Sequence, residues 1–361
     1  MPYNKNIKII GKDKRRHGRR GRRPVIIGRS WRNYKFQTNN FVRILGILVF
    51  LLLSYFIYRQ VIHQPNWRES LDRVCRAVTG PLQWKLWLVV LLMPLNWGIE
   101  ARKWQLALRP IGGISYRDAL KAIFTGTTMA SFTPNRMGEY IGRLLYIEDG
   151  KRIDSVSLTI VGSMAQLLTT LLMGVAGILY MLAALHRQPQ PPQAMEFWLH
   201  TLLGLVFFLL VSLTIIYFRL SWLVRILRKI PFFHKYLNFI KVLENFEATI
   251  LLRILFLSFG RYLVFMMQYC LVFPVFGVML SIGQVWGSVS VVFLVMAVVP
   301  TFTFLTELGL RWGTSIRVLE FFSTNTVGIF AASFAIWLVN LIVPALIGSL
   351  LILSIKLFKS K

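Results

Sequence analysis

Ala130-Ser131-Phe132-Thr133-Pro134-Asn135-Arg136-Met137-Gly138-Glu139-Tyr140-Ile141-Gly142-Arg143 is a polar, charged run set inside an apolar chain. It ends an apolar run, Ile114–Thr133, that is too short and too rich in Gly, Thr and Ser to be an ordinary membrane span. It then sets a proline, two arginines and a carboxylate where the surrounding hydropathy indicates membrane. Ionisable groups at such depth are expensive, so their default reading is functional. A second stretch, from Val298-Val299-Pro300 through Glu307 to Arg311, repeats the pattern in the other half of the chain.

The chain around these stretches is 55% hydrophobic, with a mean hydropathy of +0.58. A soluble domain would be less apolar. Several runs of about 20 apolar residues predict an all-α polytopic membrane protein. Of the two cysteines, Cys75 falls in a loop and Cys270 in an apolar span, so neither a disulfide nor a metal site is expected, and no cofactor.

Residues 1–40 are polar and basic, with Arg15, Arg16, Arg19, Arg20, Arg22 and Arg23 clustered. Such a block cannot bury enough apolar surface to fold alone. Beside a membrane span it reads as a disordered cytoplasmic tail that sets orientation and touches anionic lipid, rather than as a nucleic-acid-binding arm. Six full spans follow within residues 41–356, at about 41–58, 84–100, 153–185, 197–218, 254–278 and 326–355. The basic segment 219–253 is amphipathic and is expected to lie along the cytoplasmic surface.

The charges decide how the two ambiguous stretches run. With the N-terminus inside, the positive-inside rule places 101–118, 219–253 and the C-terminus inside as well. That holds only if 114–147 and 282–312 each enter and leave on one side. Two re-entrant helical hairpins result, the first opening to the cytoplasm and the second to the outside. Irregular backbone at that depth needs protein or a wet cavity around it. The halves also repeat: Ile114 to Pro134 and Leu280 to Pro300 are both 20 residues apart, and Glu139/Arg143 matches Glu307/Arg311. Repeat one covers about 84–185 and repeat two about 254–356, in opposite orientation, as in many secondary transporters.

Glu four residues before Arg on a helix puts both on one face in the favoured order. Each pair taken singly is equally well a simple ion pair that neutralises two buried groups. Two pairs, each after a re-entrant proline, favour a site built from Thr133, Pro134, Asn135, Arg136, Glu139 and Arg143 with Pro300, Glu307 and Arg311. Helix ends broken at the prolines favour an anion, and arginine forks suit phosphate. Glu100 is a further candidate, as a proton or ion relay. Arg102 and Lys103, at the end of the 84–100 span, are weighed together against simple snorkelling. Arg261, inside a span, needs a partner such as Glu307 or a lipid phosphate. Gln166, Gln268 and Asn340 read as interhelical hydrogen-bonding groups. No Walker loop, metal spacing or nucleophile elbow is present, which argues against an ATP-driven pump and against an enzyme.

The Trp- and Arg-bearing end of the 84–100 span, the Thr133–Glu139 stretch and Glu307-Leu308-Gly309-Leu310-Arg311 resemble the lysylphosphatidylglycerol synthase/flippase transmembrane family, over roughly 41–356. The resemblance implies a flippase of polar or charged lipids. That family's first motif is of the type Thr-Pro-Gly-Gly-x-Gly-Glu. Thr133, Pro134, Gly138 and Glu139 match it, while Asn135 and Arg136 replace the two glycines. The added arginine leans toward an anionic substrate rather than a cationic lysyl-lipid. With the chain ending at Lys361, the family's aminoacyl-transferase domain is expected to be absent.

The expected function is therefore transbilayer movement of an anionic phospholipid or lipid-linked headgroup, in a bacterial-type inner membrane with both termini cytoplasmic. The expected partners are membrane lipids and no nucleic acid, with a homo-oligomer left open. Alternatives are an integral membrane transferase using Glu139 as general base, and a non-catalytic membrane scaffold. Deleting residues 1–35 separates the scaffold from the rest: lipid movement in liposomes should survive the deletion, whereas a scaffold acting through the tail should lose its function.

Overall fold

The computed structural model describes residues 79–131, 133, 136–187, 193–228, 241–299 and 304–358, with Tyr55, Asp72 and Arg76. The basic tail and nearly all of the expected first span lie outside these residues. Helices α1 (Gln83–Ala107), α2 (Tyr116–Ala130), α3 (Gly138–Leu144), α4 (Arg152–Leu185), α5 (Gln193–Phe218), α6 (Leu220–Arg228), α7 (Ala248–Val275), α8 (Ile282–Val298), α9 (Phe304–Leu319), α10 (Thr326–Trp337) and α11 (Val343–Phe358) follow in order, and no strand occurs among the described residues. One π-helical turn, Leu338–Ile342, joins α10 to α11.

Among the described residues, four segments are long and apolar enough to cross a bilayer: Asp149–Leu185, Met195–Phe218, Ala248–Val275 and Thr326–Ile352. Helix α1 spans 25 residues, about 37 Å at the usual rise, and runs past the Glu100 at which the expected second span stops. Lys85, Glu100, Arg102 and Lys103 dilute its hydropathy. Helix α7 likewise begins at Ala248, ahead of the expected Ile254, and takes Arg253 into its first turns. Of the expected surface segment, α6 buries Leu220 and Val224 and leaves Trp222 exposed. Helix α5 is peripheral, with Phe197, Trp198, Phe207 and Phe208 exposed, the pattern of a lipid-facing surface.

Both ambiguous stretches are helical hairpins. Ser115 caps α2 by accepting a hydrogen bond from the Asp118 amide at 3.1 Å. A reciprocal Ser281–Gln284 capping box starts α8. Near the break after α2, Thr127 and Ser131 hydroxyls donate back to the Ile123 and Thr127 carbonyls at 3.0 and 2.9 Å, using up acceptors of the last turns. Thr133 Oγ1 then accepts from the Gly138 amide at 2.6 Å, at the start of α3. The chain folds back with glycine on glycine: a Cβ on Gly142 would stand 2.5 Å from Gly126 Cα.

Each hairpin begins and ends at the same place. A Cβ on Gly112, before α2, would lie 3.4 Å from Lys151 Nζ, just before α4. At the second hairpin, Asn325 Nδ2, just before α10, donates to the carbonyls of Phe276 and Gly277 at 3.1 and 3.0 Å, just before α8. Gly112 and Gly277 turn the chain with φ of 102° and 71°, conformations that glycine adopts without penalty. Helices α1 and α7 run antiparallel, since Val89 meets Gln268 and Glu100 meets Arg261. The hairpins that follow them are therefore entered from opposite ends.

Each hairpin packs its first helix against a long helix: α2 against the last helix of the other half, and α8 against the last helix of the first half. On α2, Thr128 Oγ1 donates to the Ala345 carbonyl of α11 at 2.7 Å, and a Cβ on Gly348 would stand 2.1 Å from the Phe124 carbonyl oxygen. On α8, a Cβ on Gly177 of α4 would stand 2.8 Å from the Gly287 carbonyl oxygen. The two pairings match in kind, hairpin on long helix through a glycine. In lipid, where apolar contact gives little drive to associate, small residues hold helices together by close approach.

Gly142→Val should lower the melting temperature of the detergent-purified protein by several degrees, since overpacking costs about 1–3 kcal/mol. Gly204→Ala, with nothing within 4 Å of its added methyl group, should leave it unchanged. Thermal unfolding monitored by tryptophan fluorescence compares the two.

Candidate functional site

Each hairpin's second helix carries one acid and one arginine a turn apart, and both pairs form. Arg143 on α3 hydrogen-bonds Glu139. Arg311 on α9 lies 3.3 Å from Glu307. Arg136 stands between the two hairpins, 3.8 Å from Glu139 on its own side and 3.8 Å from Glu307 on the other.

Glu100 is the node. It is 4% exposed, on the face of α1 turned toward α3 and α7. Its carboxylate meets Lys103 Nζ at 2.6 Å, Arg143 at 3.1 Å and Arg261 at 2.9 Å. Arg261 also donates to Asn96 Oδ1 at 2.8 Å and lies over the Trp97 ring, 5.1 Å from its centroid. Such a cation–π contact is stronger where the cation is desolvated. A line of amides continues from there: Asn96 Nδ2 donates to Asn340 Oδ1 at 3.2 Å, Asn340 Nδ2 to Gln268 Oε1 at 2.9 Å, and Gln268 Nε2 to the Val89 carbonyl at 3.0 Å. Asn340 is presented by the π-helical turn, the kind of helix irregularity often found at functional sites.

The cluster is not neutral. Lys103, Arg136, Arg143, Arg261 and Arg311 face Glu100, Glu139 and Glu307, five cations against three carboxylates, which leaves two positive charges uncompensated among the described residues. Several donors are also unused: among the described residues, the buried Nε atoms of Arg143 and Arg311 and Trp97 Nε1 have no hydrogen-bond acceptor. Buried donors of this kind normally find one. Trp97 and Arg311 border a cavity of about 50 Å³, together with Arg136, Arg261 and Glu307, and with Trp337 and Asn340. What fits chemically is an acceptor-rich anion that takes hydrogen bonds from several guanidinium groups at once.

Several expected site residues come together here: Glu100, Arg136, Glu139, Arg143, Arg261, Glu307 and Arg311. Thr133 serves the hairpin turn instead, through its bond to Gly138. Pro134, Asn135 and Pro300 lie outside the described residues. Arg261 meets Glu100 and Asn96, not the Glu307 considered for it. Of the two cations weighed at this end of α1, Arg102, chosen for the site, is exposed and turned to Gln105 on its own helix, while Lys103, 3% exposed, is the one that joins the cluster. Helical geometry explains the exchange: at about 100° per residue, Lys103 sits about 60° round α1 from Glu100, and Arg102 about 160°. Asn96 and Trp97 were not on the expected list. The period Asn96, Glu100, Lys103 on one face was the available signal.

A family model of the lysylphosphatidylglycerol synthase TM region matches residues 43–348. The chain belongs to that family. No curated protein matches it. The match takes in both hairpins, every member of the charge cluster and the amphipathic connection between the halves. Membership makes the chain a multi-pass membrane protein of a family concerned with lipid.

Glu100→Gln should be strongly destabilising, because it strands Lys103 and Arg261 and leaves Arg143 with Glu139 alone. Breaking a buried pair costs about 3–5 kcal/mol. Adding Lys103→Met should restore part of the loss, and Arg102→Ala should change nothing. Melting temperatures of the three variants in detergent decide it.

Proposed function

We propose that the protein moves an anionic lipid headgroup, that of a phospholipid or a lipid-linked phosphate, across the bilayer. The observation that carries this reading is the excess of two positive charges, with unused guanidinium donors, around a cavity between two oppositely entered hairpins. A phosphodiester supplies both the negative charge and the acceptor oxygens that such donors lack. The acyl or prenyl tails would stay in the surrounding lipid.

In this mechanism Arg136, Arg143 and Arg311 compensate the phosphate while Glu139 and Glu307 hold the guanidinium groups in place. Arg261, oriented by Asn96 and Trp97, adds a fourth cation from α7. A volume of about 50 Å³ is too small for a headgroup, so in this reading the site widens to admit one. Entry requires the hairpins to part, and the Arg136–Glu307 contact is where they meet through charge. Rocking of one half against the other would then switch access from one leaflet to the other. On the distribution of Lys and Arg, the same reading puts the protein in a bacterial-type inner membrane with both termini cytoplasmic. It is a transporter in this reading, not an enzyme.

Liposomes reconstituted with the purified protein and fluorescent phosphatidylglycerol provide the test. Protein-dependent exposure of inner-leaflet lipid to an impermeant quencher is expected, with the lipid chemically unaltered by mass spectrometry. Arg143→Ala and Glu307→Ala should each slow it at least tenfold. Wild-type rates in both variants would sink the site, and a chemically altered lipid would favour the transferase.

A further inference from the structure

We infer that Arg136 is the residue that sets the charge of the accepted headgroup: a tethered guanidinium occupying the position a headgroup ammonium would otherwise take. The inference rests on the lipid-headgroup reading above and adds selectivity to it.

Two independent observations meet at this residue. The first is its backbone. Among the described residues, Arg136 is the only non-glycine with a positive φ, at 58°. That left-handed conformation crowds the Cβ of an L-residue, and glycine adopts it freely. Arginine has no short polar side chain to compensate locally, as Asn or Asp has. A residue that the local backbone disfavours must be kept there by its side chain or by the surrounding structure.

The second observation is where the side chain goes. It is partly exposed, lines the cavity, and lies 3.8 Å from each of two carboxylates, Glu139 and Glu307, that belong to different hairpins. Those carboxylates already have partners in Arg143 and Arg311. Arg143 is, however, shared with Glu100, so Glu139 is not saturated by it. Two carboxylates on different hairpins, one of them (Glu307) lining the cavity, attract a cation between them. Here the chain supplies that cation itself.

The consequence is discrimination by charge and by volume together. With Arg136 present, an incoming ammonium meets a fixed positive charge and finds its place filled, whereas a phosphate gains a further donor. Repulsion of the wrong ligand gives selectivity that attraction alone does not. Without Arg136, four cations remain against three carboxylates, and Glu139 and Glu307 lose the group between them. Room for an ammonium opens at the same step. An Arg136→Lys substitution would keep the charge though not the fork, so the preference depends on charge first and on geometry second.

The experiment compares retention of phosphatidylglycerol and the cationic lysyl-phosphatidylglycerol, offered in equal amounts to the detergent-purified full chain and read by native mass spectrometry. Wild-type protein should retain phosphatidylglycerol at least fivefold over the cationic lipid. Arg136→Gly should bring the ratio to parity or reverse it, with a melting temperature equal to or above that of wild type, because glycine suits the backbone there. Arg136→Gln should also lose the preference, and Arg136→Lys should keep it. An unchanged ratio in both Arg136→Gly and Arg136→Gln overturns the inference, as does a wild-type protein that retains both lipids equally or neither. A wild type that selects phosphatidylglycerol yet moves no lipid in liposomes overturns the transport reading alone and leaves the selectivity standing.

Discussion

One buried carboxylate holds the middle of the molecule together. Glu100 accepts from Lys103 on its own helix, from Arg143 on the second helix of the first hairpin, and from Arg261 on the facing long helix of the other half. None of these charges would be tolerable at that depth alone, because the loss of hydration exceeds what any single contact returns. Sharing makes the group self-consistent. It also fixes the rotation of α1 and α7 about their own axes, since only one face of each presents the required groups. The rest of the cluster follows outward, through Glu139 and Arg136 to Glu307 and Arg311.

The hairpins reach this centre because glycine lets backbones touch. Gly126 and Gly142 bring α3 down onto α2, which carries Arg143 to Glu100. Gly348 and Thr128 seat α2 on α11, and Gly177 seats α8 on α4. Each half thus packs on the other half's hairpin. A motion that separates the halves must slide these small-residue contacts and break the charge contact at Arg136, which ties the packing of the fold to access to the cavity.

Much of this was legible locally. The pairs Glu139/Arg143 and Glu307/Arg311 are set by spacing within one helix turn, and both form. The hairpins were legible from the distribution of charge, because leaving by the far side would have put basic segments on the wrong face. Each hairpin returns near its point of entry, at Gly112 with Lys151 and at Gly277 with Asn325. Less legible was the end of α1. Adjacent Arg102 and Lys103 look alike as letters, and only the face of the helix separates the exposed one from the buried one.

An all-helical membrane chain, two interrupted helical stretches and two acid–arginine pairs can be read from the amino acids alone, because hydropathy, charge bias and helical spacing are local properties. Which charges meet depends on how the helices pack. Arg261 is 161 residues from Glu100 and Arg136 reaches Glu307 in the other half, and no local rule chooses among partners so far apart. The same holds for the left-handed backbone of Arg136, which looks unfavourable from its neighbours and makes sense only against the two carboxylates its side chain lies between.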